Sequence, residues 1–351
     1  MLESIPYCPL LHTRQAEMKA LAQLPAASKD RLLPIIVGRP WPNANQLSRT
    51  WDKIGEAFGG RRFGLDLDET KLRSGSSKPA SGQYDLLFDP SDGFKNYYEL
   101  IESIPSAIPV LRLRGGRAVA LDFQLGHVER LQRGLILRVL YGSAAEPFEL
   151  VRSVVQGAND VVLVLDAGWS SDLLGRELWT SQLIELVVGI SSEAEIVVCS
   201  SSFPESFANV GSRGTAPIVE RVLYANLSRR HNSASLTYGD WGSTRPPREP
   251  APMRNVPRID LPVPRDWVSF RQVGEEDYAD IATRLLTDPS WNETPEVWGK
   301  YAMYCTASDL PGAIKSPAAA ASARINIHLH LQASNGDRDL TGDTDEPYSD
   351  D

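Results

Sequence analysis

The chain predicts an α/β fold: a TIM-like (β/α)8 barrel with a small α+β C-terminal extension and a disordered acidic tail. Two observations carry this. Eight short runs rich in Val, Ile and Leu alternate with longer segments of helical period, the pattern of parallel strands joined by crossover helices. Eight strands favour closure, because an open doubly wound sheet more often has about five or six. No glycine-rich turn follows the first run, which speaks against a dinucleotide-binding sheet.

The runs are YCPLLHT (7–13), LLPIIVG (32–38), RFGLDLD (62–68), AIPVLRL (107–113), GLILRVL (134–140), VVLVLDA (161–167), EIVVCSS (195–201) and SLTYGDW (235–241). Helices fall between them. RQAEMKALAQL sets Met18, Leu21 and Leu24 near one face, and SDGFKNYYELIESI opens on an N-cap signal. EPFELVRSVVQG has proline at its second position and glycine at its end. APIVERVLYANLSRR ends on arginines, which suit the negative helix end. The loop 69–90 is long for this fold and reads as a lid, a binding loop or an insertion.

The barrel is expected over 1–245 and a proline-rich strap over 246–264, where RPPREPAPMRNVPRIDLPVP must be extended. An α+β extension follows over 265–335 and the acidic tail over 336–351. The extension offers DWVSFRQ as a strand, EEDYADIATRLLTD and PEVWGKYAMYCTA as helices, and ARINIHLHLQ as a final strand. Either of those helices could fill the slot of a missing eighth barrel helix.

Net charge is −9, but Asp337–Asp351 holds seven acids and one arginine, so the rest carries only −3. A nearly neutral body gives no electrostatic case for nonspecific DNA binding. No apolar run approaches the roughly 20 residues of a membrane helix. The N-terminal stretch lacks a secretory pattern. Cys8, Cys199 and Cys305 are odd in number and far apart, as in a reducing compartment. Together these point to a cytoplasmic protein.

Barrel sites lie at the C-terminal strand ends, which orders the candidates by position. The first strand ends near His12, Thr13 and Arg14, with Glu17 on the next helical turn. The second gives Arg39 and Trp41, the third Asp66, Asp68 and Glu69, and the fourth Arg112 and Arg114. The fifth gives Arg138 and Tyr141, the sixth Asp166 and Trp169, the seventh Ser200 to Ser202, and the eighth Asp240 and Trp241. Arg112 and Arg138 each interrupt an apolar strand, where a lone cation would be costly. Their natural partners are Asp66, Asp166 and Asp240. Such pairs either only fix the barrel or hold guanidinium groups ready for phosphate or carboxylate. Asp66, Asp68 and Asp166 could instead carry Mg²⁺. His328 and His330 would share one face of the last strand with Arg324 and Asn326, a polar face that needs a cleft or the barrel mouth. No Cys or third His lies at zinc-ligand spacing. SSSFPES lacks the nucleophile elbow, and no Walker A loop, His-Glu-x-x-His or Cys-x-x-Cys occurs.

The order of motifs resembles the beta-protein family, of bacteriophage T4 beta-protein type, over roughly 7–332. The resemblance rests on Tyr7, Pro9, Arg14, Glu17, Ala20, Leu21, Leu33 and Pro34, the arginine of LILRV, YGDWGS and RINIHLH. Where the family shows lysine near the first strand's mouth, this chain has His12 and Arg14. The resemblance implies the architecture and a phage or mobile-element connection, and implies no reaction.

These observations lead to a phage- or anti-phage-defence-associated protein binding an anionic ligand at the barrel mouth, with no cofactor. Arg112 and Arg138 would clamp the ligand, Asp66, Asp166 and Asp240 would orient the clamp, and Trp241 would pack against it. Arg39, Arg324, Asn326 and His328 would complete the site. The competing class is an Mg²⁺-dependent phosphoester hydrolase, with Asp240 or Glu17 as general base. The third is a non-catalytic module for an unknown protein partner.

Overall fold

The computed structural model describes residues 1–71, 78–207, 211–244 and 256–335. The acidic tail, the first part of the proline-rich stretch and residues 72–77 of the long loop lie outside these.

Each of the eight apolar runs holds one strand: β1 Tyr7–His12, β2 Ile35–Gly38, β3 Phe63–Leu67, β4 Ala107–Pro109, β5 Leu135–Leu140, β6 Val161–Trp169, β7 Glu195–Ser201 and β8 Ser235–Asp240. They form one parallel sheet in the order β4-β3-β2-β1-β8-β7-β6-β5. Its edges, β4 and β5, approach through a parallel bridge between Val110 and Ile136. There the Leu111 N–H donates to the Ile136 carbonyl at 2.8 Å. The result is a nearly closed eight-strand barrel.

Strand alternation divides the side chains. Cys8, Ile35, Val110, Val164, Val197 and Trp241 meet inside the barrel in one apolar cluster. Their chain neighbours Tyr7, Ile36, Leu165 and Val198, together with Tyr238, join the layer between sheet and helices. Gly239 faces inward because nothing larger fits: a Cβ there would lie 2.8 Å from both the Cys8 carbonyl and Val197. The parity of β8 follows, with Trp241 inside and Asp240 outside.

Helix α1 (Gln15–Ala22) and the short α2 (Ala26–Lys29) follow β1, and α3 (Ser48–Phe58) follows β2. Next come α4 (Pro79–Leu86), α5 (Lys95–Ser103), α6 (Leu121–Leu131), α7 (Pro147–Gly157), α8 (Glu177–Ile190) and α9 (Val219–Arg230). The proline at N1 of α7 and the arginines ending α9 stand where they were expected.

Within the proline-rich stretch, Arg258–Pro262 is a strand, β9, paired antiparallel with β10 (Asp266–Arg271). The segment Arg213–Pro217, between β7 and α9, completes this three-stranded sheet. Helix α10 (Tyr278–Leu286) starts on a capping box of Asp277 and Asp280, and α11 (Trp298–Ala307) follows.

The final element departs from expectation. ARINIHLHLQ is not a strand: it lies in α12 (Pro317–Ala333), which opens on Ser316 as N-cap, proline at its start and a run of alanines. The period-two alternation of Ile325, Ile327 and Leu329 with Arg324, Asn326 and His328 resembles a half-buried strand. Here it belongs to a helix buried on almost every side, so each polar side chain meets a different neighbour. Arg324 Nη1 donates to Asp260 Oδ2 at 2.8 Å. Asn326 accepts from the Gly299 N–H and donates to the Ala20 carbonyl, both at 2.9 Å. His330 Nδ1 bonds the Ser28 hydroxyl at 2.8 Å. Gln332 accepts from Arg221 of α9 at 2.6 Å. Packed against α1 and β1, and bonded to α9, α12 fills the gap after β8. The expected occupants, α10 and α11, pack instead on the small sheet and on α12.

Candidate functional site

Inward parity brings Asp66, Arg112, Arg138 and Asp166 together at the C-terminal mouth. Arg138 donates to Asp166 Oδ2 from Nε at 3.0 Å and Nη2 at 2.7 Å, and to Asp66 Oδ2 from Nη1 at 3.0 Å. Arg112 Nη1 donates to Asp66 Oδ1 at 2.7 Å. Asp66 thus bridges the two guanidinium groups. Burial alone would raise its carboxyl, but Arg112 and Arg138 outweigh that and hold it below the ordinary range.

The surroundings fix this cluster. Asp166 Oδ1 accepts from the Trp241 indole at 3.0 Å and the Gly168 N–H at 2.9 Å. Arg138 lies 5.7 Å from the Trp241 ring centroid. Arg112 stands over Phe88 and Tyr97, at 5.2 and 5.5 Å. Its backbone is held by Gln124 of α6, whose side chain accepts from the Arg112 N–H and donates to its carbonyl, both at 2.9 Å. Gln124 escaped the sequence reading because nothing in an exposed-looking helix marks it as the brace of a distant strand. Trp241 is only 5% exposed. It forms a floor under the cluster, beneath Arg138 and bonded to Asp166.

Asp240 does not join them. It points outward, where Tyr7 and Tyr238 donate to it, the Gly242 N–H donates at 2.8 Å, and His328 Nε2 lies 2.8 Å away. Burial raises the Asp240 carboxyl, and His328 and the tyrosine hydroxyls bring it below its usual value. His328 packs against Trp267, ring centroids 6.1 Å apart. Asp240 is therefore a junction between barrel and extension, 1% exposed, and does not orient the arginines. His328, Asn326 and Arg324 likewise make junction bonds, to Asp240, to Ala20 and Gly299, and to Asp260. His328 and His330, two apart on a helix, point in different directions.

On β1 to β3 the mouth carries His12, Glu17, Arg39 and Asp68. Glu17 is buried; it accepts from the His12 N–H at 3.1 Å and lies 3.5 Å from His12 Nδ1. Burial raises its carboxyl, while His12 and Arg14 lower it to a net value below normal. The Arg39 guanidinium has its ordinary value depressed by burial and by Arg14. Asp68 Oδ1 caps Thr70, accepting from its N–H at 3.0 Å and its hydroxyl at 2.6 Å.

Four buried polar atoms at this mouth have no hydrogen-bond partner among the described residues: His12 Nδ1, Asp68 Oδ2, Arg112 Nε and Ser243 Oγ. Ser243 follows Gly242, and both have positive φ, 62° and 55°. The Gly-Ser pair after Trp241 was the signal that could have found it. Asp66, Asp68 and Asp166 do not form a metal-ligand set. A guanidinium bridges Asp66 and Asp166, and no group of three or more His, Cys, Asp or Glu among the described residues is placed to hold a metal ion. No helix among the described residues is long and apolar enough to cross a membrane.

No solved structure matches the chain. A curated relative, "Protein beta" of Enterobacteria phage P4, is 27% identical over 344 residues, covering 94% of this chain and 93% of its own length. The relative found is thus from phage P4 rather than T4. The family model described as Beta protein matches residues 7–334, a span from the start of β1 through the end of α12. The chain belongs to the Beta protein family.

Proposed function

We propose that this is a phage- or defence-associated protein whose fold is a TIM-type (β/α)8 barrel with an α+β extension, and that its mouth binds a phosphate- or carboxylate-bearing ligand. The observation that carries this is unspent hydrogen-bonding capacity where parallel barrels keep their sites. Buried donors and acceptors are normally paired, yet Arg112 Nε, Asp68 Oδ2 and Ser243 Oγ are not, among the described residues. Arg112 and Arg138 are held rigidly by Asp66 and Asp166, which balance their charge, so the ligand meets prearranged guanidinium edges. Arg39, half-buried at the rim, is the cation best placed to move onto an anion. Family membership and the phage P4 relative support the phage association.

The test is a thermal-shift titration with phosphate and with small carboxylates, on the wild type and on Arg39→Gln. Phosphate at about 100 times its Kd should stabilise the wild type by about 2.7 kcal/mol and the variant much less. Equal shifts in the two proteins, or none in the wild type, would sink the reading.

A further inference from the structure

We infer that the ligand of this mouth carries a hydrogen-bond donor, an ammonium or amino group, beside its anionic group, and that Asp68 receives it. This rests on the anion-binding reading above and goes beyond it by naming the ligand's second functional group.

Asp68 lies two residues beyond Asp66, and its N–H continues the ladder past the end of β3 onto the Gly38 carbonyl at 2.9 Å, which keeps it on the side of Asp66. Its two oxygens differ. Oδ1 is spent on Thr70, whereas Oδ2 is buried with no hydrogen-bond partner among the described residues, in a residue 5% exposed. An ionised carboxylate is an acceptor only, so a bare buried oxygen calls for a donor. The neighbouring cations do not supply one: Arg112 Nη1 and Arg138 give their bonds to Asp66 and Asp166, and Arg39, whose charge acts on Asp68, makes no hydrogen bond to it. His12 Nδ1 on the same β1–β3 side is directed at the Glu17 carboxylate, 3.5 Å away, and leaves Asp68 Oδ2 as the bare acceptor there. One side of the mouth therefore offers a bare acceptor, Asp68 Oδ2, and the arginine side a bare donor, Arg112 Nε. A ligand that satisfies only the arginines leaves Asp68 stranded, a costly state for a buried charge. A ligand with both groups satisfies both sides. The chemistry is shared by small aminoalkyl phosphates and by nucleotides with an exocyclic amine.

Calorimetry with matched pairs tests this. The first pair is 2-aminoethyl phosphate and n-propyl phosphate, equal in length but differing in the ammonium. The second is AMP and IMP, differing in the exocyclic amine. The donor-bearing member of at least one pair should bind about tenfold more tightly, the scale of one charge-assisted hydrogen bond, and which pair discriminates identifies the source. In Asp68→Asn the amide keeps the Thr70 cap and replaces the bare oxygen with a donor, so the preference should vanish while n-propyl phosphate binding persists. Equal affinity within both pairs in the wild type overturns the inference and leaves the anion reading intact. No binding of any of the four, nor of inorganic phosphate or small carboxylates, ends both. If Asp68→Asn does not fold, the wild-type pairs alone decide.

Discussion

Arg138 shows how much of the barrel depends on one side chain. Its guanidinium compensates Asp166, which has no exposure, and half of Asp66. Arg138→Met should cost about 3–5 kcal/mol, the scale for breaking a buried pair. Adding Asp166→Asn should restore much of the loss, because an amide oxygen can still accept from Trp241 and Gly168. Urea unfolding of the two variants measures this, and a double variant no more stable than the single one would refute the pairing. Glu220 behaves oppositely. It accepts from the Ser202 N–H at 2.6 Å and from its hydroxyl, and burial pushes its carboxyl from 4.5 up to about 7. Its contribution is full below pH 4.5 and is lost as pH rises through about 7. Glu220→Gln should therefore be near neutral at pH 4.5 and stabilising by roughly 3 kcal/mol at pH 8; equal effects at both pH values would contradict this. Arg112, Arg138, Asp66 and Asp166 were legible in the sequence because charges inside apolar strands demand partners. Asp240 was misplaced because one residue of register decides which side of a strand faces inward, and Gly239 took the inner position.

At the scale of elements, the eight strands were legible from apolar content and spacing, and α12 was not. A helix buried on all sides need not show a 3.6-residue period. Its polar residues record where partners happen to stand, and in this chain they fell at alternate positions. Asn326 and Gly299 lock α12 to α11. A Cβ on Gly299 would collide with the Ala323 carbonyl and approach Ile327 to 2.9 Å. Gly299→Ala should destabilise by about 1–3 kcal/mol, the usual cost of overpacking, although alanine is the better helix former. A thermal midpoint at or above the wild-type value would show that the two helices have room to separate.

For the whole molecule, barrel and extension keep separate apolar cores, and α12 contributes to both. Tyr7 of β1, Asp240 of β8, His328 of α12 and Trp267 of β10 form a single buried chain of contacts. Residues 1–245 expressed alone should lack stable tertiary structure, visible as weak near-ultraviolet dichroism; a sharp cooperative melt of that fragment would contradict this. Acid should also act on the whole. Asp66, Glu17, Asp240 and Asp260 are all held below their usual values. The stability they confer is present above the ordinary carboxylate range of about 4 and is lost as pH falls through the lowered values. The site of α12 also has a temporal consequence. A ribosome makes every barrel strand well before it makes the helix that plugs the seam after the eighth. Until then the nascent sheet keeps an oily flank open to water, so synthesis itself imposes a waiting period in which chaperone capture or clumping competes with completion.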